Sequence, residues 1–161
     1  MDQTNPNELL LTQEGLRKLE EELEYLKTVR RREVAERIKI ARDFGDISEN
    51  SEYEEAKNEQ AFVEGRIAAL EKALRNARVV AEEEVNPEQV NVGTTVVLRD
   101  VQTGEEFRYN IVGSHEADPS RQRISYQSPV GKAIFGRRAG ETVDVRLPDG
   151  VVQYEIVKVE R

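Results

Sequence analysis

From Leu16 to Ala77 the chain carries apolar residues at a helical period and contains no proline. In the second part of this stretch Tyr53, Ala56, Gln60, Val63, Ile67, Leu70, Leu74 and Ala77 follow one another at steps of 3, 4, 3, 4, 3, 4 and 3. This is the a/d seam of a coiled coil, with Gln60 as its polar member. The first part offers Leu16, Leu19, Leu23, Leu26, Arg30, Val34, Ile38, Ala41 and Phe44; Arg30 is a polar exception and the spacing around it is irregular. The two series mirror each other. Leu16 matches Val80, Leu19 Ala77, Leu23 Leu74, Leu26 Leu70, Val34 Val63, Ala41 Ala56 and Phe44 Tyr53, and the residue numbers in every pair total 96 or 97. Antiparallel helices folded about one turn have this property, which puts the turn near residue 48. Each arm is then about 28 residues, or roughly 42 Å long.

After Ala81 the period changes. "EEEVNPEQ" is an acidic connector with a proline, and "TTVVLR", "EEFRYNIVG", "ETVDVRL" and "VVQYEIVKV" follow as β-rich runs separated by the turn signals "TGE" and "PDG". "SPVGKAIFG" predicts a short helix, with Ser128 as cap, Pro129 in the first position and Gly136 at the end. The pattern predicts an α+β chain: an N-terminal antiparallel α-helical coiled-coil hairpin over 1–81, a linker over 82–92, and a small antiparallel β-sheet domain with a short helix over 93–161.

Composition narrows the chemistry. The chain has 161 residues and no cysteine, which excludes disulfides, thiolate zinc sites and thiol catalysis. Charged residues make up 35%, well above the ordinary globular share of about 25%, as expected of an exposed helical pair. No apolar run reaches membrane-spanning length, and "MDQTNPNELLLT" lacks the features of a signal peptide, so a cytoplasmic protein without membrane contact is expected. Net charge is −8, and six acids lie between Asp43 and Glu55 without one base; outside that window the balance is −2. A surface for general duplex binding has the opposite sign.

The acids sit at the predicted apex. Ser51-Glu52-Tyr53-Glu54 fits a capping box, acids in a first helical turn suit the helix dipole, and Gly45 suits the end of the first helix. Asp43 and Asp46 are less well explained, because a negative charge at a helix C-terminus is disfavoured. Glu49 is a poor turn former, and Ile47 is exposed beside it. Asp46 and Glu49 suit one shared Mg²⁺, an ion that accepts one or two protein carboxylates and takes its other ligands from water or phosphate. Two carboxylates on a turn hold it weakly unless a second macromolecule completes the shell. His115 has no partner for a metal site, and Ser125 and Ser128 have no histidine suited to a hydrolase; turn and capping roles are expected of them.

"GDISENSEYEEAKNEQAFVEGRIAALEKAL" closely resembles the tip and second helix of the bacterial Gre transcript-cleavage (transcription elongation) factors of the GreA type. The family's G-D-hydrophobic-x-E-N-x-E-Y core falls on Gly45, Asp46, Ile47, Ser48, Glu49, Asn50, Ser51, Glu52 and Tyr53. "ISYQSPVGKAIFGRRAGETVDVRLPDG" resembles the family's C-terminal motif, and "LTQEGLRKLEEELEYL" its opening. The resemblance implies an FKBP-like C-terminal domain that docks on RNA polymerase, with Ser128, Pro129, Gly131 and Lys132 as docking residues, and a finger that enters the polymerase secondary channel. It implies that Asp46 and Glu49 help the polymerase hold Mg²⁺ and a water at the nascent RNA 3′ end of a backtracked complex, so that the polymerase hydrolyses the RNA and the factor is not itself an enzyme. Asn50 and Tyr53 are expected to support the tip. Arg42 and Lys57 are candidates for RNA or polymerase contact, or for pairing with neighbouring acids, and Arg30–Arg32 for a solvated face. A monomer is expected. The rival readings are a Gre homologue that occupies the same channel and inhibits, an FKBP-like prolyl isomerase or chaperone, and a structural coiled-coil adaptor.

Overall fold

A computed structural model of the chain describes residues 8–44 and 50–161, so Gly45, Asp46, Ile47, Ser48 and Glu49 lie outside the described residues. These residues divide into two compact units: 17–76, and a second unit made of 77–161 together with the chain up to Leu16. Among the described residues no helix is long and apolar enough to cross a membrane.

The first unit is the helical hairpin. Helix α1 (Gln13–Tyr25) runs through a π-helical turn, Leu26–Arg30, into helix α2 (Arg31–Asp43), and helix α3 (Ser51–Arg75) returns. Leu19, Leu26, Val34 and Ala41 on one arm and Ala56, Val63, Ile67 and Leu70 on the other are buried. The π turn explains the irregular spacing at Arg30. From Leu26 to Ile38 the apolar positions step by 4, 4 and 4, faster than a 3.6-residue helix can keep on one face. The wider turn, closed by the Arg31 N–H on the Leu26 carbonyl, absorbs the surplus residue and returns Val34 to the seam.

The arms are laced by ion pairs whose residue numbers follow the mirror: Arg31–Glu64 bidentate at 2.8 and 2.9 Å, Arg66–Glu22 at 2.8 and 3.0 Å, Lys27–Glu71 at 3.1 Å, and Glu59 with both Arg30 and Arg37. Arg30 and Arg31 of the basic run are thus occupied within the hairpin. One end of the mirror differs. Phe44 is 85% exposed, because α2 stops at Asp43 and Phe44 occupies its C-cap; it has no seam contact with Tyr53 to make. At the other end α3 stops at Arg75, with Asn76 as C-cap, and Ala77 and Val80 have left the helix.

The exposed Arg31–Glu64 pair gives a pH expectation. The hydrogen bond from Arg31 holds the Glu64 carboxyl below its ordinary value, with burial opposing it. A depressed folded-state value stabilises the hairpin above the unfolded value and is lost as pH falls through the folded one, hence below about 4.5. Glu64→Gln should flatten the fall in hairpin melting temperature in that acid window and change little at neutral pH; an unaltered acid profile would count against the pair.

The second unit is a five-stranded sheet. Strands β3 (Thr95–Asp100), β4 (Glu106–Val112), β6 (Thr142–Leu147) and β7 (Gly150–Glu160) cover the four β-rich runs. Strand β5 (Arg123–Ser125) completes the order β5-β4-β3-β7-β6. β5 lies parallel to β4, so the expected all-antiparallel sheet has one parallel edge. Two further short strands, β1 (Leu9–Leu11) and β2 (Ala77–Val79), pair in parallel. Alternate residues Val96, Leu98, Val143, Val145 and Ile156 form the core with Ile111, Val90 and Ile134 of helix α4 (Pro129–Ile134). The segment read as a linker over 82–92 packs into this unit. Val85, Val90 and Val92 are buried, and Val90 exchanges backbone hydrogen bonds with Gly136 and Arg137.

Candidate functional site

The two arms are fastened to each other immediately beside the tip. The Asn50 side chain does this with both ends of its amide. Its Nδ2 donates to the Ala41 carbonyl at the end of α2 (2.7 Å), and its Oδ1 accepts from the Tyr53 N–H in the first turn of α3 (3.1 Å). Asn50 is therefore the N-cap of α3, in extended conformation. This corrects the capping box assigned to Ser51, which is already helical. Asn and Ser cap equally well; the choice falls on Asn50 because only its amide reaches a second carbonyl on the opposite arm. Asn50→Ala removes both bonds and should lower hairpin stability by about 1–2 kcal/mol. Asn50→Asp, which keeps the cap acceptor, should recover part of that loss in thermal melting. Equal melting of wild type and Asn50→Ala would refute the fastening role.

Around this fastening Asp43, Glu52, Glu54 and Glu55 are exposed and Tyr53 is half-buried. A groove of about 270 Å³ between the arms is lined by Arg37, Ile40, Ala41, Glu52 and Glu55. Arg37 is paired with Glu59, and Lys57 donates to Gln60 at 3.4 Å; Arg42 is exposed. Among the described residues no group of three or more His, Asp or Glu stands where it could hold a metal ion. Asp46 and Glu49, the proposed Mg²⁺ ligands, lie outside the described residues.

The second motif surrounds α4. Ser128 caps the helix: its Oγ accepts from the Gly131 N–H (3.1 Å) and donates to the Ser125 carbonyl (2.7 Å). Pro129 occupies the first turn, where its missing N–H is harmless, and Gly136 follows with φ +79°. Gly131 is buried, and a Cβ there would lie 2.8 Å from Tyr126 Cα. Ser128 and Gly131 thus shape the turn and seat the helix, whereas Lys132 and Phe135 are exposed. His115 is exposed in a short turn, Ser114–Glu116. The aromatic rings of this unit pack on one another. Phe107 stacks on Tyr109 and meets Tyr154 edge-on, both with centroids at 6.1 Å, while the Tyr126 hydroxyl accepts from the Leu10 N–H at 3.1 Å.

Sequence reasoning missed Asn50 as the cap, and it missed Glu116, a carboxylate with its side chain 4% exposed. Nothing local marks Glu116, because its partners lie about a hundred residues earlier.

Comparison with known proteins matches both halves in order. The family described as "Transcription elongation factor, N-terminal" matches residues 9–79, and that described as "Transcription elongation factor, GreA/GreB, C-term" matches residues 81–161. The chain is 58% identical over 153 residues to the transcription elongation factor GreA of Caldanaerobacter subterraneus subsp. tengcongensis, covering 95% of this chain and 98% of that protein. It is 57% identical over 154 residues to GreA of Acetivibrio thermocellus, covering 96% and 97%. Among solved structures it is similar to the transcription factor Gfh1 at 31% identity and TM-score 0.46, covering 94% of this chain and 97% of that one. It is also similar to the GreA/GreB factor of Nitrosomonas europaea at 26% identity and TM-score 0.43, covering 96% and 100%. With both family halves matched in tandem across residues 9–161, the chain belongs to the GreA/GreB family of transcription elongation factors.

Proposed function

We propose that this chain binds RNA polymerase through its second unit, inserts the hairpin into the secondary channel, and stimulates the polymerase's own hydrolysis of backtracked RNA. The observation that carries this reading is the construction of the apex. A cluster of acids follows directly on two arms that are zipped by apolar residues, laced by ion pairs and fastened by Asn50. Such an element delivers charge to a distant site and has no need of a pocket of its own.

Asp46 and Glu49 are the groups delivered. Two carboxylates suit a hard cation whose remaining ligands come from elsewhere, so Mg²⁺ is held jointly with the polymerase. In two-metal hydrolysis such an ion activates the attacking water or stabilises the leaving oxygen. The chain's own contribution is to place two negative oxygens near the nascent RNA 3′ end. Without a substrate pocket it does not cleave free RNA. Arg42 and Lys57, exposed on the shoulders, are the candidates for RNA or polymerase contact, and Ser128, Pro129, Gly131 and Lys132 define the docking face. The chain acts as a monomer. The isomerase reading is weakened by the aromatic side chains of the sheet, which fill space against one another instead of lining a cleft.

The test is a stalled, backtracked polymerase complex incubated with and without the protein. Release of a short 3′ RNA fragment that depends on the protein supports the proposal. Inhibition without cleavage would instead favour the channel-blocking homologue.

A further inference from the structure

One carboxylate holds the first turn of the hairpin's leading helix. Glu116 ends the short turn after β4, and its buried side chain accepts the N–H of Thr12 (3.2 Å), the N–H of Gly113 (3.1 Å) and the Thr12 hydroxyl. That hydroxyl in turn accepts from the Gly15 N–H at 3.0 Å, and the Thr12 carbonyl accepts from Leu16 N–H at 3.0 Å, so Thr12 caps α1. Arg123 stands 3.9 Å from both Glu116 and Glu14. Every one of these residues belongs to the second unit. Helix α1 then continues without interruption to Tyr25, inside the first unit.

The fit is tight. A Cβ on Gly15 would lie 2.6 Å from Glu116 Oε2. The carboxylate cannot swing aside cheaply, since leaving means abandoning three donors inside a nearly closed site. A buried charge is expensive unless fully satisfied. Here the satisfaction is supplied by the start of one helix.

We propose that Glu116 is a positioning residue for transcript cleavage: it fixes the direction in which α1 leaves the sheet unit and therefore where the tip arrives. The consequence for cleavage rests on the function proposed above; the effect on helix direction does not. Leverage makes the role matter. Thirty residues of helix span about 45 Å, so a swing of about 10° at the base moves the far end by roughly 8 Å. Misplacement of a reacting group by about 1 Å is enough to lose up to a hundredfold in rate.

The chain has no cysteine, so cysteines introduced at exposed Asn58 and Gln153 take spin labels specifically. The distance distribution between them is read in full-length wild type, Glu116→Ala, Glu116→Gln and Gly15→Ala, alongside thermal melting and cleavage of a backtracked complex. Glu116→Ala should broaden the distribution. It should also lower cleavage at saturating factor by about tenfold to a hundredfold, with the concentration for half effect little changed. Glu116→Gln, whose amide can still accept the two backbone N–H groups, should remain narrow and active. Gly15→Ala is the sharper variant. Ala is the better helix former by up to about 1 kcal/mol, so a merely local effect would stabilise α1, whereas displacement of Glu116 should broaden the distances as Glu116→Ala does. Adding Gly15→Ala to Glu116→Ala should then do no further harm. If Glu116→Ala fails to fold, Gly15→Ala decides by itself. Distances as narrow as wild type in the folded variants overturn the proposal, and so does broadening accompanied by normal cleavage. A wild type that stimulates no cleavage would overturn the proposed function while leaving the distance result to stand.

Discussion

Charge-neutral replacement of Asp46 and Glu49, as D46N/E49Q, is expected to lower stimulated RNA cleavage by at least about a hundredfold while polymerase binding persists. Asn and Gln keep the size and polarity of the originals and remove the negative charge that a hard cation requires. A group that helps place a metal acts chiefly in the transition state, so its loss appears in the rate at saturation and little in affinity. An acidic tip approaching a site with its own catalytic acids gains little net binding energy, and affinity is expected to rest on the second unit. The variant should therefore compete with wild type as an inactive occupant. Stability should hold or rise slightly, because the window 43–55 carries six acids and no base and relief of exposed like-charge repulsion is small but favourable. The Asn50 fastening uses neither side chain. Melting, competition and cleavage measured on the same samples decide the matter. Undiminished cleavage by D46N/E49Q would refute the assigned roles. Lost cleavage together with a collapsed melting temperature would make these acids builders of the turn.

What could be read from sequence follows from the range of the interactions involved. The seam Ala56, Val63, Ile67 and Leu70 repeats over many turns, so periodicity announces it, and the mirror with Val34 and Ala41 locates the fold-back without any structure. The four long strands and the Ser128-Pro129 helix start are likewise local signals. Strands Leu9–Leu11, Ala77–Val79 and Arg123–Ser125 are three residues each, too short to show a period of two. Their pairing partners are far away in the chain, and both pairings are parallel, which no turn signal marks. Arg30 looked like a flaw in a stripe, and the π turn shows it to be the place where the helix changes pitch. At the tip the two sources divide the work. The motif names Asp46 and Glu49, and the structure describes the Asn50 fastening on which they are carried.

Gly131→Ala is expected to destabilise the second unit by roughly 3 kcal/mol, whereas Lys132→Ala should leave its stability within about 0.5 kcal/mol. The added Cβ would fall on the Ser125 carbonyl oxygen and lie 2.8 and 2.9 Å from Tyr126 Cα and C. These are backbone atoms and cannot rotate away. Relief requires α4 to lift from the turn, yet α4 is tied there by Ser128 through Ser125 and Gly131, and by the Lys132 N–H on the Ser128 carbonyl at 2.8 Å. Lifting it also withdraws Ile134, fully buried, from the core. The better helix propensity of Ala offsets about 1 kcal/mol at most. For a domain of this size the balance corresponds to a melting temperature lower by roughly 10–20 °C. Lys132 is exposed on the same short helix, so its replacement tests docking with the fold intact. Polymerase affinity should fall for Lys132→Ala without a change in melting, and for Gly131→Ala together with one. A Gly131→Ala protein that melts like wild type would mean that α4 can slide over the Ser125–Tyr126 turn, in which case the docking face is not preset by the fold. Unaltered affinity in Lys132→Ala would remove that lysine from the face and leave the packing argument at Gly131 untouched.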